Sequence, residues 1–135
     1  MALHLYHLDT STIVLFLRGR SSAIRDRLQS LLPEQVAISQ IVRAELLVGC
    51  LKSLRPETHR ERLDQFLARL TIVDFKTAEA EHYAEIRTAL ELEGKGIGPN
   101  DLLIAATARA ARAILVTSNE SEFRRVPRLK VENWA

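Results

Sequence analysis

Three carboxylates in this 135-residue chain stand where they could do chemistry: Asp9, Glu45 and Asp101. Asp9 opens Asp9-Thr10-Ser11-Thr12, directly after a short apolar run. Glu45 lies inside Ile41-Val42-Arg43-Ala44-Glu45-Leu46-Leu47-Val48-Gly49-Cys50-Leu51. Counted at 100° per residue it falls between Ile41 and Val42, with Val48 and Gly49 as neighbours, on an apolar face. Asp101 follows the glycine-rich stretch from Gly94 to Asn100 and heads an apolar segment. Pro99 suits a first helical position, which puts Asp101 in the first turn beside unpaired backbone N–H groups. Each acid has a structural use by itself. Asp9 is a good N-cap, Glu45 could pair with Lys52 or a distant arginine, and Asp101 is favoured by the helix dipole. Gathered at one edge of a sheet, however, the three would repel one another without a cation.

Donors that are all oxygen select a hard divalent ion, with Mg²⁺ or Mn²⁺ the usual occupants. At a phosphodiester such an ion neutralises the scissile phosphate and lowers the pKa of an attacking water. No covalent nucleophile is then required. Cys50 sits alone in apolar company with no evident histidine partner, which argues against a thiol enzyme. His7 would share a strand face with Asp9 if the strand runs on, making it a weak second-ligand candidate beside the commoner core or surface role.

The elements that must position these residues follow from pattern and punctuation. Residues 3–8 read as a strand, and Asp9 to Thr12 cap a helix over 13–17. A second helix is expected over 22–32, stopping at Pro33, then a buried strand at 36–38 and a helix capped by Ser39 that runs to about Leu51. Thr58-x-x-Glu61 has the form of a capping box opening a helix to Leu70. Residues 71–73 form a third strand. Helical spacing from Thr77 to Glu93 ends at Gly94. After the Asp101 helix come a strand at 113–117, a helical turn around 121–124 and a last strand at 130–132. Strands alternating with helices, each strand apolar on both faces, imply a parallel sheet covered on both sides. Ligands in such sheets bind beyond the carboxyl ends of the strands, where Asp9, Ser39 and Thr117 to Glu120 fall.

The length suits one domain, residues 1–135, with a single core. With 47% hydrophobic and 27% charged residues the chain has the composition of a soluble globular protein, and its net charge of +2 permits an acidic partner without demanding one. The lone cysteine fits a reducing compartment. No long apolar segment follows a basic flank, so a cytoplasmic protein without membrane attachment is expected.

Four stretches carry a resemblance to the PIN-domain proteins, and more narrowly to the VapC toxins of bacterial toxin-antitoxin pairs. They are Leu8-Asp9-Thr10-Ser11; Ile38-Ser39-x-x-Val42-x-Ala44-Glu45-Leu46-x-x-Gly49; the run from Ile97 to Ala106; and Leu115-Val116-Thr117-Ser118-Asn119 followed by Glu122-Phe123. The resemblance implies an α/β fold, a Rossmann-like three-layer α/β/α PIN domain with a central parallel sheet. It implies a metal-dependent ribonuclease with Asp9, Glu45 and Asp101 as ligands to Mg²⁺ or Mn²⁺. Thr10, Ser11, Ser39 and Thr117 would be supporting polar groups. Ser11 stands where the family often has Asn. Asn119 occupies a position that is a fourth acid in many PIN nucleases, and the amide can ligate only through a neutral oxygen, so one firmly held ion is expected; Glu120 beside it is the candidate substitute.

The resemblance also implies a VapB-like antitoxin, an RNA substrate with transfer RNA among the candidates, homodimers, and contact with operator DNA only through the antitoxin. Arg18, Arg20, Arg124 and Arg125 flank the first and fourth motifs and are candidate phosphate contacts, which position RNA without reading its sequence. An alternative is a catalytically silent PIN-fold module that binds RNA or protein. A phosphoacceptor signalling domain shares the length and alternation, but it would leave Glu45 and the Gly98 to Asp101 motif unexplained.

Overall fold

The computed structural model describes residues 3–135; Met1 and Ala2, which the expected domain also spans, lie outside the described residues. Five strands form one parallel sheet: β1 (Tyr6–Leu8), β2 (Val36–Ser39), β3 (Thr71–Val73), β4 (Ile114–Val116) and β5 (Lys130–Glu132), in the spatial order β3-β2-β1-β4-β5. Pairing sets Tyr6 against both Val36 and Ile114, and Leu8 against Val116. Every residue of β1 and β4 is buried, which requires cover on both faces and gives three layers. The edge strands β3 and β5 are partly exposed, so the expectation of strands apolar on both faces holds only at the centre.

The helices are α1 (Thr10–Leu17), α2 (Ser22–Gln29), α3 (Gln40–Leu51), α4 (Pro56–Leu67), α5 (Thr77–Leu92), α6 (Pro99–Ala110) and the single turn α7 (Glu120–Phe123). Several begin as local chemistry dictates. Ser39 caps α3 by accepting from the Val42 N–H at 3.1 Å, an interaction worth about 1 kcal/mol in such caps. Pro99 is the first residue of α6, after a Gly98 cap. Gly94 ends α5 at φ 66, a left-handed conformation that glycine adopts without steric cost. The core beneath the sheet's ends is built from fully enclosed side chains such as Ile13, Ile38, Leu115 and Phe123.

Three expectations need correction. Thr58 does not cap α4, because Pro56 starts that helix two residues earlier and Arg55 caps it without a side-chain bond. The same helix ends at Leu67 rather than Leu70. Helix α2 stops at Gln29, where the Ser30 hydroxyl donates to the Arg27 carbonyl at 2.6 Å, and Pro33 opens a 3₁₀ turn instead of terminating a helix.

Candidate functional site

Strand order reverses between β1 and β4: from β1 the chain moves outward to β2 and β3, then returns to β4 on the other side. Doubly wound sheets place their ligand crevice at such a switch point. Asp9 leaves the end of β1 there, and Thr117 leaves the end of β4. The Thr117 hydroxyl donates to Asp9 Oδ2 at 2.7 Å, joining the two strand ends. Ser11 Oγ donates to the same oxygen at 3.2 Å, and the Thr10 N–H donates to Oδ1 at 2.8 Å. Asp9 thus does cap α1, and its carboxylate is also fixed in aim by three donors. Burial pushes the Asp9 carboxyl above its usual range, the bonds from Thr117, Thr10 and Ser11 pull it back down, and the charge of Glu45 pushes upward again.

Glu45 approaches from α3. Thr10 Oγ1 donates to its Oε1 at 2.6 Å, and Asn100 Nδ2 donates to its Oε2 at 3.3 Å. The salt bridge that its apolar surroundings suggested is not formed: no lysine or arginine of the described residues pairs with Asp9, Glu45 or Asp101. Asp101 stands half-buried in the first turn of α6. Ala105 and Ala108 on its side of the helix are both fully buried, as close packing requires. Burial first, then the charges of Asp9, Glu122 and Glu45 and a side-chain hydrogen bond with Glu122, push the Asp101 carboxyl up to about 6. Like charges that cannot all ionise together produce this kind of shift.

Glu122 is the residue that sequence reasoning passed over as a member of this cluster. The fourth acid was sought at Asn119 or Glu120. Glu120 instead engages Arg124 at 2.9 Å and Asn133 at 3.4 Å, on the other side of α7. Asn119 Nδ2 donates to Glu122 Oε2 at 3.2 Å, so the amide orients an acid that lies three residues on. A helical turn starting at Asn119 was the available signal, because residues i and i+3 share a face.

The supporting residues divide. Thr10, Ser11 and Thr117 bind the acids directly, and Ser11 Oγ also accepts from the Ser118 N–H at 3.1 Å. Ser39 acts on the site only by starting α3. His7 is buried, and burial pushes its imidazole down to about 4. Among the described residues it forms no hydrogen bond or ion pair with the acids. Arg18 is exposed beside Glu45 in a groove along α3. Arg124 is held by Glu120, and Arg125 donates to the Gly96 carbonyl at 3.2 Å. Arg20 is exposed, with no side-chain partner among the described residues.

The donor set suits a hard divalent ion: all its ligating atoms are oxygens, the mutual repulsion registers at Asp101, and no side chain of the described residues cancels it. Among the described residues no three acidic or imidazole side chains are drawn tightly enough to form a ready-made cage. A divalent ion bound here would have to draw the acids closer together and keep part of its water shell.

The family model described as PIN domain matches residues 6–129. A Rickettsia felis protein called Ribonuclease VapC2 is 44% identical, the match covering 96% of this chain and 98% of that one. A Salmonella typhimurium protein called tRNA(fMet)-specific endonuclease VapC is 35% identical over 96% of this chain and 97% of its own. Among solved structures, VapBC2 from Rickettsia felis, bound to a DNA fragment from its promoter, superposes with a TM-score of 0.91 at 43% identity, covering 97% of this chain and 99% of that one. The chain therefore belongs to the PIN-domain family, and within it to the VapC ribonucleases.

Proposed function

We propose that this protein is a divalent-metal-dependent endoribonuclease of the cytoplasm, the toxin of a toxin-antitoxin pair, built as one PIN domain over residues 1–135. The observation that carries the proposal is the gathering of Asp9, Glu45 and Asp101 at the switch point between β1 and β4 with no lysine or arginine of the described residues paired to any of them; the upward push on the Asp101 carboxyl is consistent with that crowding. A cluster of that kind is poised for a cation, and none of the described residues supplies one.

In this reading Asp9, Glu45 and Asp101 would hold Mg²⁺ or Mn²⁺, Glu122 adds negative charge beside Asp101, and Asn119 positions Glu122 rather than acting as a ligand. The bound ion supplies charge neutralisation at the scissile phosphate and a water of lowered pKa. The chain's own residues do the rest. Thr117, Ser11 and the Thr10 N–H hold the Asp9 carboxylate in one orientation, and Thr10 and Asn100 hold Glu45. Such outer bonds fix ligand geometry and tune basicity. The half-buried wall around Asp101 lowers the local dielectric and strengthens each charge interaction at the reacting phosphate.

The relatives' names indicate where to begin with substrate and partners. The Salmonella relative named for tRNA(fMet) makes transfer RNA the first substrate to try. The VapBC complex on promoter DNA supports a VapB-like antitoxin here and operator DNA reached through that antitoxin; homodimers rest on the family resemblance alone. The test is incubation of purified, partner-free protein with total cellular RNA. Cleavage is expected with Mg²⁺ or Mn²⁺ and none with EDTA. Cleavage that survives exhaustive chelation would remove the metal from the mechanism.

A further inference from the structure

A groove of 370 Å³ opens beside Glu45 and Thr10 and runs between α1, α3 and α4. Its walls are apolar, with Val14, Leu46 and Leu63 among them, and its rim carries Arg18, Lys52, His59 and Arg62. Glu45 is the one carboxylate in the lining, at the end that adjoins the acidic cluster. Arg18, Lys52 and Arg62 are exposed. Arg62 commits one donor, to the Leu17 carbonyl at 2.8 Å, out of the five a guanidinium has.

Gly49 lies in this lining, one helical turn beyond Glu45 on α3. Its conformation is ordinary helix, and a Cβ built there meets nothing within 4 Å. The fold has no steric need of glycine at this position. A glycine inside a helix weakens it relative to alanine, so the missing side chain works against stability. It makes sense if something outside the chain comes close to the α3 backbone.

We propose, building on the ribonuclease reading, that this groove seats a nucleotide flanking the scissile phosphate, with Gly49 as the floor of the subsite. The rim cations face the sugar-phosphate backbone, and the apolar walls receive the face of an unpaired base, the usual way single-stranded RNA is held. Charge favours this occupant: two arginines, a lysine and an imidazole around one carboxylate suit a polyanion leading away from the metal-binding acids. An antitoxin that fills the same groove then inhibits by standing in the path of the RNA.

The experiment measures binding apart from cleavage, by fluorescence anisotropy of a labelled single-stranded RNA oligonucleotide in EDTA. Gly49→Leu, which fills the groove, is expected to weaken binding about tenfold, the scale of one displaced nucleotide. Gly49→Ala is expected to keep binding within about twofold of wild type and to raise the melting temperature through its better helix propensity. Lys52→Gln should reduce the slope of log Kd against log salt by about 0.7, the loss of one phosphate contact on a single strand. Circular dichroism and the melting temperature of Gly49→Leu report whether it folds. A folded Gly49→Leu that binds RNA as wild type does overturns the subsite and leaves the groove to a protein segment. Absence of RNA binding by the wild type also overturns it. Failure to cleave with Mg²⁺ while Gly49 still governs binding would instead overturn the nuclease reading alone.

Discussion

Thr10 and Glu45 are joined across 35 positions of sequence by a hydrogen bond of 2.6 Å, from a hydroxyl at the start of α1 to a carboxylate in the middle of α3. The same threonine gives its backbone N–H to Asp9 at 2.8 Å. One residue therefore fixes two of the acids relative to each other, and replacing only its hydroxyl should separate aim from presence. Thr10→Val keeps the shape and the N–H while freeing Glu45. It should lower kcat/KM for RNA by about 10–100-fold, the range for outer partners of metal ligands, with a small change in melting temperature. Unchanged cleavage would show that Asn100 alone suffices to hold Glu45.

The acidic cluster should also be visible in stability. The Asp101 carboxyl ordinarily titrates at 3.8 and is pushed up to about 6 in the folded protein. Between those values the folded state binds more protons than the unfolded chain, so this group's stabilising contribution is complete below pH 3.8 and is lost as pH rises through about 6. Asp101→Asn removes that dependence. The melting temperature of the variant minus that of wild type should therefore grow from pH 4 to pH 6 and stay level above it, while cleavage is abolished. A difference that shrinks as pH rises, or a variant that cleaves at the wild-type rate, would make Asp101 a helix-start residue and place the chemistry elsewhere. Added Mg²⁺ should narrow the gap by stabilising wild type preferentially, as any ligand of the native state does.

Much of this was legible in the sequence because local chemistry and tertiary packing agree. Ser39 lies between an apolar strand and an apolar helix and caps the helix as its type demands. Pro99 and Gly94 punctuate α6 and α5 where their backbone preferences place them. The errors come from competition between signals of similar strength. At α4 the capping-box pattern of Thr58 and Glu61 was outweighed by Pro56, which favours a first helical position and moves Thr58 inside the helix. Glu45 looked like half of an ion pair because sequence shows the apolar face but not the hydroxyl and amide that reach it from α1 and α6. The alanines at 80 and 84 fit the helical period of α5 yet are exposed, since Ile86 and Leu90 define its buried face.

Glu122 and Glu120 form an internal control. They are two residues apart on the short helix α7, but Glu122 faces Asp101 and is held by Asn119, whereas Glu120 is tied to Arg124. Glu122→Gln should remove a like charge and lower the Asp101 pKa below about 6, read by carboxyl NMR titration, while activity falls about 10–100-fold. Glu120→Gln should leave both unchanged. Equal effects of the two substitutions would mean that neither belongs to the cluster and that α7 acts only through the packing of Phe123.

Control of such a nuclease follows from the same charges. A cation that is not a metal could occupy the space among Asp9, Glu45 and Asp101, and a guanidinium is well suited, since its planar fork pairs with carboxylates and stays charged when desolvated. A VapB-like antitoxin is accordingly expected to insert an arginine there, with adjoining apolar residues against α1 and α3. Replacing that arginine by alanine should weaken inhibition by about 2–5 kcal/mol in complex stability, the cost of leaving buried charges unpaired. It should also restore Mn²⁺ binding to the complex, measured by electron paramagnetic resonance. If inhibition is undiminished and Mn²⁺ is still excluded, the antitoxin works by covering the RNA path along Gly49 and not by replacing the metal's charge.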